Sequence, residues 1–153
     1  MSKTWAVFAA SLLAALLGAL ASAPAAAQSS PTEFPVIPLQ AGMYVIQAEI
    51  GVTPEQRSRG LMFRKTLGPN QGMVFVFDQS AIHCMWMKNT LVPLSVAFMR
   101  EDGSIINVED MKPQTEDSHC AAQPARYALE MNLGWFARRG MKPGTRITGL
   151  PRG

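Results

Sequence analysis

Trp86-Met87-Lys88-Asn89-Thr90-Leu91-Val92-Pro93-Leu94 crowds a large aromatic, a cation and an amide between apolar neighbours. Such a mixture suits a ligand site, because small molecules usually bind in apolar pockets that carry a few placed polar groups. Glu130 is the acid that could complete it. It lies in the apolar run Tyr127-Ala128-Leu129-Glu130-Met131, where strand alternation sets it on the side of Ala128, opposite Tyr127, Leu129 and Met131. If that side faces a pocket or the interior, the carboxyl needs a partner, and Arg59, Arg64 or Lys88 could supply one. The candidate ligand-binding set is therefore Arg59, Trp86, Lys88, Asn89 and Glu130, converging at a pocket rim. A packing reading competes with it: Trp86 buries its ring, Lys88 lays its stem along the surface, and Asn89 with Thr90 bonds its own backbone ahead of Pro93.

Reaction chemistry finds less support. No serine lies in a Gly-x-Ser-x-Gly elbow, no glycine-rich loop could cradle a phosphate, and Glu130 has no evident second carboxylate for glycoside hydrolysis. The balance favours a non-enzymatic protein without a cofactor. The rival is a small hydrolase or lyase with Glu130 as acid or base and Lys88 with Asn89 stabilising charge. His83-Cys84 and His119-Cys120 supply the ligand types of a zinc site, but neighbours in a strand point to opposite faces and can hardly share an ion. Alternation instead places His83, Met85 and Met87 on one face, a soft set suited to Cu(I) in a copper carrier. Methionine is also an ordinary core filler, and the chain has ten of them, so core packing is the stronger reading and no metal site is assigned.

Residues 1–27 stand apart in composition. Lys3 precedes an apolar run from Trp5 to Leu20, 16 residues long, against the ~20 that span a bilayer comfortably. Ala25-Ala26-Ala27 then fits a signal-peptidase site, so the expectation is a cleaved signal peptide, a periplasmic or secreted protein, and no stable membrane insertion afterwards. Two cysteines in an oxidising compartment predict a Cys84–Cys120 disulfide. Removing Lys3 takes the formal charge from +3 to +2, and the basic residues are scattered. That argues against a nucleic-acid partner, which calls for a clustered basic face. The partner would be a small molecule or an envelope protein.

The elements that must hold these residues read as short strands. Residues 28–41, with Pro31, Pro35 and Pro38, suggest a flexible lead-in, and residues 42–153 a single β-rich domain. Tyr44 to Ile50 alternates like a half-buried strand, and Thr53-Pro54-Glu55-Gln56 starts a short helix that Gly60 ends. Met73 to Phe77, His83 to Lys88, Leu94 to Met99, Ile105 to Val108, Arg126 to Met131 and Thr145 to Leu150 follow as strands. Asp102-Gly103 signals a hairpin turn, and Asn132 would cap a second helix running to Arg139. The fold class expected is mainly β, a compact antiparallel β-sandwich or barrel with two short helices.

Arg59-Gly60-Leu61-Met62-Phe63-Arg64, Gly72-Met73-Val74-Phe75-Val76-Phe77, Trp86-Met87-Lys88-Asn89-Thr90 with Pro93-Leu94, and Leu129-Glu130-Met131-Asn132 together resemble the family known as domain of unknown function 192. The likeness spans roughly residues 43 to 150. It implies a β-rich, sandwich-like or barrel-like domain, commonly exported in bacteria, and no established activity. The family usually carries an Asp after its Pro-Leu pair; this chain has Ser95, which weakens any mechanism needing a carboxylate there. The reading that results is an exported binding or accessory module of the envelope.

Overall fold

Three runs of residues are apolar at nearly every position, so the sheet they form must be covered on both faces. The computed structural model describes residues 34–152, and the expected signal segment lies outside them. Nine strands and two short helices form among the described residues: β1 Val36–Ala41, β2 Tyr44–Gly51, α1 Pro54–Arg59, β3 Gln71–Ala81, β4 Cys84–Met85, β5 Leu94–Met99, β6 Ile105–Met111, β7 His119–Cys120, β8 Ala125–Asn132, α2 Trp135–Arg138 and β9 Ile147–Thr148. Seven strands make one sheet in the order β6-β5-β8-β3-β2-β1-β9, while β4 and β7 pair separately. The sheet curls into a half-barrel. Its two edges touch at one corner, where Ser104 bridges Arg146 and Ile105 donates its N–H to the Thr145 carbonyl at 2.9 Å. The β-rich class with two short helices is the one expected from sequence. The pairing is antiparallel with one exception, since β2 and β3 run parallel on either side of α1.

Alternation divides the sheet's side chains between two cores. Val74 and Val76 of β3, Ala97 and Met99 of β5, and Tyr127, Leu129 and Met131 of β8 fill the barrel interior, which α2 closes with Trp135 and Phe136. Met73, Phe75 and Phe77, then Leu94, Val96 and Phe98, then Ala128 fill the opposite face beneath a layer of loops. Leu61, Met87 and Val92 reach down from that layer. Cys84 and Cys120 stand directly opposite each other in β4 and β7 and are joined as a disulfide, which staples the layer together.

Two local expectations change. Residues 36–41, which their composition assigned to a flexible lead-in, form β1, paired with β2 from Val36↔Glu49 to Ala41↔Tyr44. Leu39 and Ala41 are buried there, and their burial outweighs the prolines. Pro38 fits because its partner Gln47 turns its N–H to the Asn70 carbonyl on the far side of β2. The missing N–H of Pro38 therefore faces away from β2, where no bond is forfeited. At the second helix, Asn132 is not the cap. Gly134 holds that position in a left-handed conformation, while the Asn132 amide donates to the carbonyls of Leu67 and Gly68 at 3.2 and 2.9 Å.

Candidate functional site

Strand β8 turns Glu130 to the loop-covered face of the sheet, where its cross-strand neighbours are Met73 on β3 and Val96 on β5. Both neighbours are fully buried, and Glu130 itself is only 4% exposed. Gly72 makes this fit possible: a Cβ there would collide with the Glu130 carbonyl and the Met131 sulfur, so only glycine lets β3 lie so close to β8. No hydrogen bond or ion pair holds the Glu130 carboxyl among the described residues. Removal from water without a compensating partner disfavours the charged form, and burial pushes this acid up to about 8 from an ordinary 4.5. At neutral pH the group is a carboxylic acid, able both to donate and to accept.

The carboxyl faces a cavity of about 20 Å³ whose walls include Arg57, Arg59, Leu61, Phe75, Met85, Trp86 and Thr90. A space of that size holds a single water-sized group. Helix α1 supplies one wall. Its start is fixed by a capping box, in which Thr53 accepts from the Gln56 N–H and Gln56 accepts in return from the Thr53 N–H. Arg57 ties the helix to the sheet by donating to the Val76 carbonyl at 2.9 Å and pairing with Asp78 at 3.0 Å. Gly60 then turns the chain sharply down at φ +46, where a Cβ would press on the Phe75 ring at 3.2 Å. Leu61 enters the core, but Phe63, two residues on, stands 62% exposed at φ +63. Arg59, at the end of α1, is exposed and forms no ion pair among the described residues.

The other wall comes from the stretch after β4. His83, Met85 and Met87 point inward as alternation predicts, and Trp86 points out, 44% exposed. Met87 is fully buried in the core with Met85 packed against it, and the His83 ring stacks on Phe77 with centroids 3.6 Å apart. One His83 ring nitrogen already lies 3.0 Å from the Gln79 carbonyl. These three residues are committed to packing. Thr90 is buried and closes a turn through its N–H to the Met87 carbonyl.

Of the five candidates, Arg59, Trp86 and Glu130 meet at the cavity, and Lys88 and Asn89 do not line it. Lys88 lies over the Trp86 ring, 5.2 Å from its centroid, and pairs with Glu116 at 3.7 Å. Asn89 serves as a corner: it adopts φ +56, and its carbonyl accepts from the Phe63 N–H at 2.9 Å. Arg64, the other partner considered for Glu130, pairs with Glu49 instead. Arg57, Met85 and Thr90 join the site without having been singled out for it. The helix that carries Arg57 was legible, but the sequence does not show that α1 folds over β8.

Ser95 occupies the place where the resembled family carries an acid, and it is fully buried facing the barrel interior, not the cavity. Its hydroxyl donates to Asp110, its direct partner across β5 and β6, and accepts from the Gly134 N–H at 2.8 Å. A carboxylate is thus present beside position 95, supplied by the neighbouring strand.

No curated protein matches this chain. Solved structures similar in both sequence and fold include two from bacteria. One is a protein from Sinorhizobium meliloti 1021 described provisionally as a transcription regulator, 33% identical, with a TM-score of 0.72, covering 78% of this chain and 97% of its own. The other is a protein of unknown function from Novosphingobium aromaticivorans DSM 12444, 33% identical, with a TM-score of 0.73, covering 84% of this chain and 94% of its own. The model of the family described as "Uncharacterized ACR", domain of unknown function 192, matches residues 37–149, and the chain belongs to that family.

Proposed function

We propose that this protein is an exported binding or accessory module of the cell envelope, which holds one small polar group of its ligand against Glu130. The observation that carries this reading is a buried carboxylic acid lining a cavity with a half-exposed Trp86 and with Arg59, neither Glu130 nor Arg59 having an ion-pair partner among the described residues. A buried polar group without a partner costs free energy, so its presence there needs a role. The cavity's size favours binding over turnover, since about 20 Å³ admits a ligand's end group but encloses no substrate. Lys88, which the enzymatic alternative needs beside Glu130, is engaged with Trp86 and Glu116. A soft-metal carrier is disfavoured by the burial of Met87 and the stacking of His83.

Export is supported by the signal-like residues 1–27 and by the disulfide, a bond that persists in oxidising compartments. Among the described residues no helix is long and apolar enough to cross a membrane. The regulator description attached to the S. meliloti protein does not carry over readily. Arg57, Arg64, Lys88 and Arg146 are each engaged by an acid, and the other basic residues are scattered along the sequence, whereas a phosphate backbone calls for a clustered basic face.

A thermal-shift screen of the purified protein against envelope sugars and peptides tests the proposal. A ligand at 100 times its dissociation constant adds roughly 2.7 kcal/mol of stability. Trp86→Ala and Glu130→Leu should each abolish that shift. A shift that survives both substitutions places the binding elsewhere and removes Glu130 from the function.

A further inference from the structure

The groups around the cavity differ in what they can still bind. Arg57 is spent on Asp78 and on the Val76 carbonyl, and Lys88 on Glu116 and the Trp86 ring. Asp78 and Glu116, the acids nearest these cations in the contact pattern, are thereby taken up as well. Among the described residues Arg59 has no such partner, and it lies on the cavity wall. From the sheet, β3 and β5 present only Met73, Phe75 and Val96 toward Glu130, none of which titrates. Among the described residues the site therefore offers one guanidinium without an acid partner and one un-ionised acid, on a cavity also lined by Leu61, Phe75 and Met85.

A cationic ligand would meet Arg59 and an acid that resists ionisation. A neutral carbonyl would leave the guanidinium unpaired. A carboxylate satisfies both groups: one oxygen accepts the Glu130 O–H, in the short charge-assisted geometry of an acid–carboxylate pair, and the other accepts from Arg59. A cavity of about 20 Å³ has room for about one oxygen, so a tetrahedral phosphate would leave three charged oxygens outside it where a carboxylate leaves one.

Resting on the reading of Glu130 as a binding group, we infer that this cavity takes the carboxylate of a small organic acid, shared between Glu130 and Arg59, with the body of the ligand lying against Trp86. The carboxylate belongs either to an acidic sugar, whose flat apolar face suits the indole, or to an N-acylated amino acid.

The test is a titration of the purified protein at pH 6.5 with sodium glucuronate, N-acetylglycine, glucose and inorganic phosphate, following the Trp86 indole N–H by NMR and assigning it with Trp86→Phe. Saturable shifts are expected with one or both carboxylates and not with glucose or phosphate, and the tighter of the two names the source. Arg59→Ala should weaken that binding at least tenfold, and Glu130→Leu should abolish it. Glu130→Gln, which keeps a neutral donor in the same place, should still bind and should lose the fall in affinity that the native protein shows between pH 6.5 and 9. A response to glucose or phosphate equal to that of the carboxylates overturns the carboxylate assignment and leaves Glu130 as a binding group. No response to any probe, or one indifferent to Glu130→Leu, overturns both.

Discussion

Glu130 and Met73 stand directly opposite each other across β8 and β3, and both are buried, so a carboxyl group lies on the covered, largely apolar face of the sheet. That pairing determines how the molecule responds to pH. The folded state holds the Glu130 proton up to about 8, whereas the unfolded chain releases it near 4.5. Between those values the native state binds more protons, so raising the pH favours unfolding. The stabilising contribution is complete below about 4.5 and disappears as pH rises through 8, a loss on the order of 5 kcal/mol across the window. Urea denaturation at intervals from pH 5 to 9 should show this decline in the native protein and a nearly flat profile in Glu130→Gln. A native profile that rises through the same window would mean that the carboxyl is paired.

The disulfide closes a loop between positions 36 residues apart, and it binds β4 to β7 within the layer that covers the cavity. Cys84→Ser with Cys120→Ser should cost roughly 2–4 kcal/mol by loop-closure entropy. Because Met85 and Trp86 directly follow Cys84, the double variant should also broaden the Trp86 indole signal. Thiol titration of the native protein should find no reactive cysteine before reduction.

Gly60 and Phe63 share positive φ angles a few residues apart but have opposite surroundings. Gly60→Ala adds a Cβ against the Phe75 ring as well as backbone strain, and should destabilise by about 1–3 kcal/mol. Phe63→Gly relieves strain at an exposed site, so its midpoint in urea should equal or exceed that of the native protein.

Ser95 links three elements by accepting from Gly134 and donating to Asp110 from inside the barrel. Ser95→Ala leaves a buried N–H unpaired, which should cost about 1–3 kcal/mol. Asn132→Ala frees the Leu67 and Gly68 carbonyls and should cost about 1–2 kcal/mol by the same mechanism. Equilibrium denaturation of the two variants measures both.

Met85→Leu with Met87→Leu should change stability by under about 1.5 kcal/mol, because the swap conserves volume in a packed core. It should leave the ligand-induced thermal shift intact. Loss of a Cu(I) response in that variant would instead revive the carrier.

Much of the fold was legible in the residue order. Period-2 alternation at Tyr44–Gly51, the unbroken apolar run of β3, the Thr53–Gln56 capping box and the Asp102-Gly103 turn are local signals, and each element formed where its pattern lies. The disulfide was legible from the even cysteine count, and the inward face of His83, Met85 and Met87 from alternation alone. Strand β1 was masked by its prolines, because the burial of Leu39 and Ala41 depends on β2 being there to pair with. The parallel β2–β3 pair was also out of reach, since the short α1 between them resembles an ordinary surface turn of helix.

Residue order alone assigns the side chains of each strand to its two faces, because alternation is a property of the backbone and needs no partner. It therefore placed Glu130 with Ala128 and away from Leu129. It takes the assembled fold to bring this face beneath α1 and Trp86, to set Arg59 on the cavity wall and to turn Lys88 to Glu116. Those outcomes depend on how distant segments stack, and the same alternation would serve equally well with Glu130 in solvent. Burial changed an ordinary carboxylate into an acid that keeps its proton, and burial is a property of the assembled sheet and its cover.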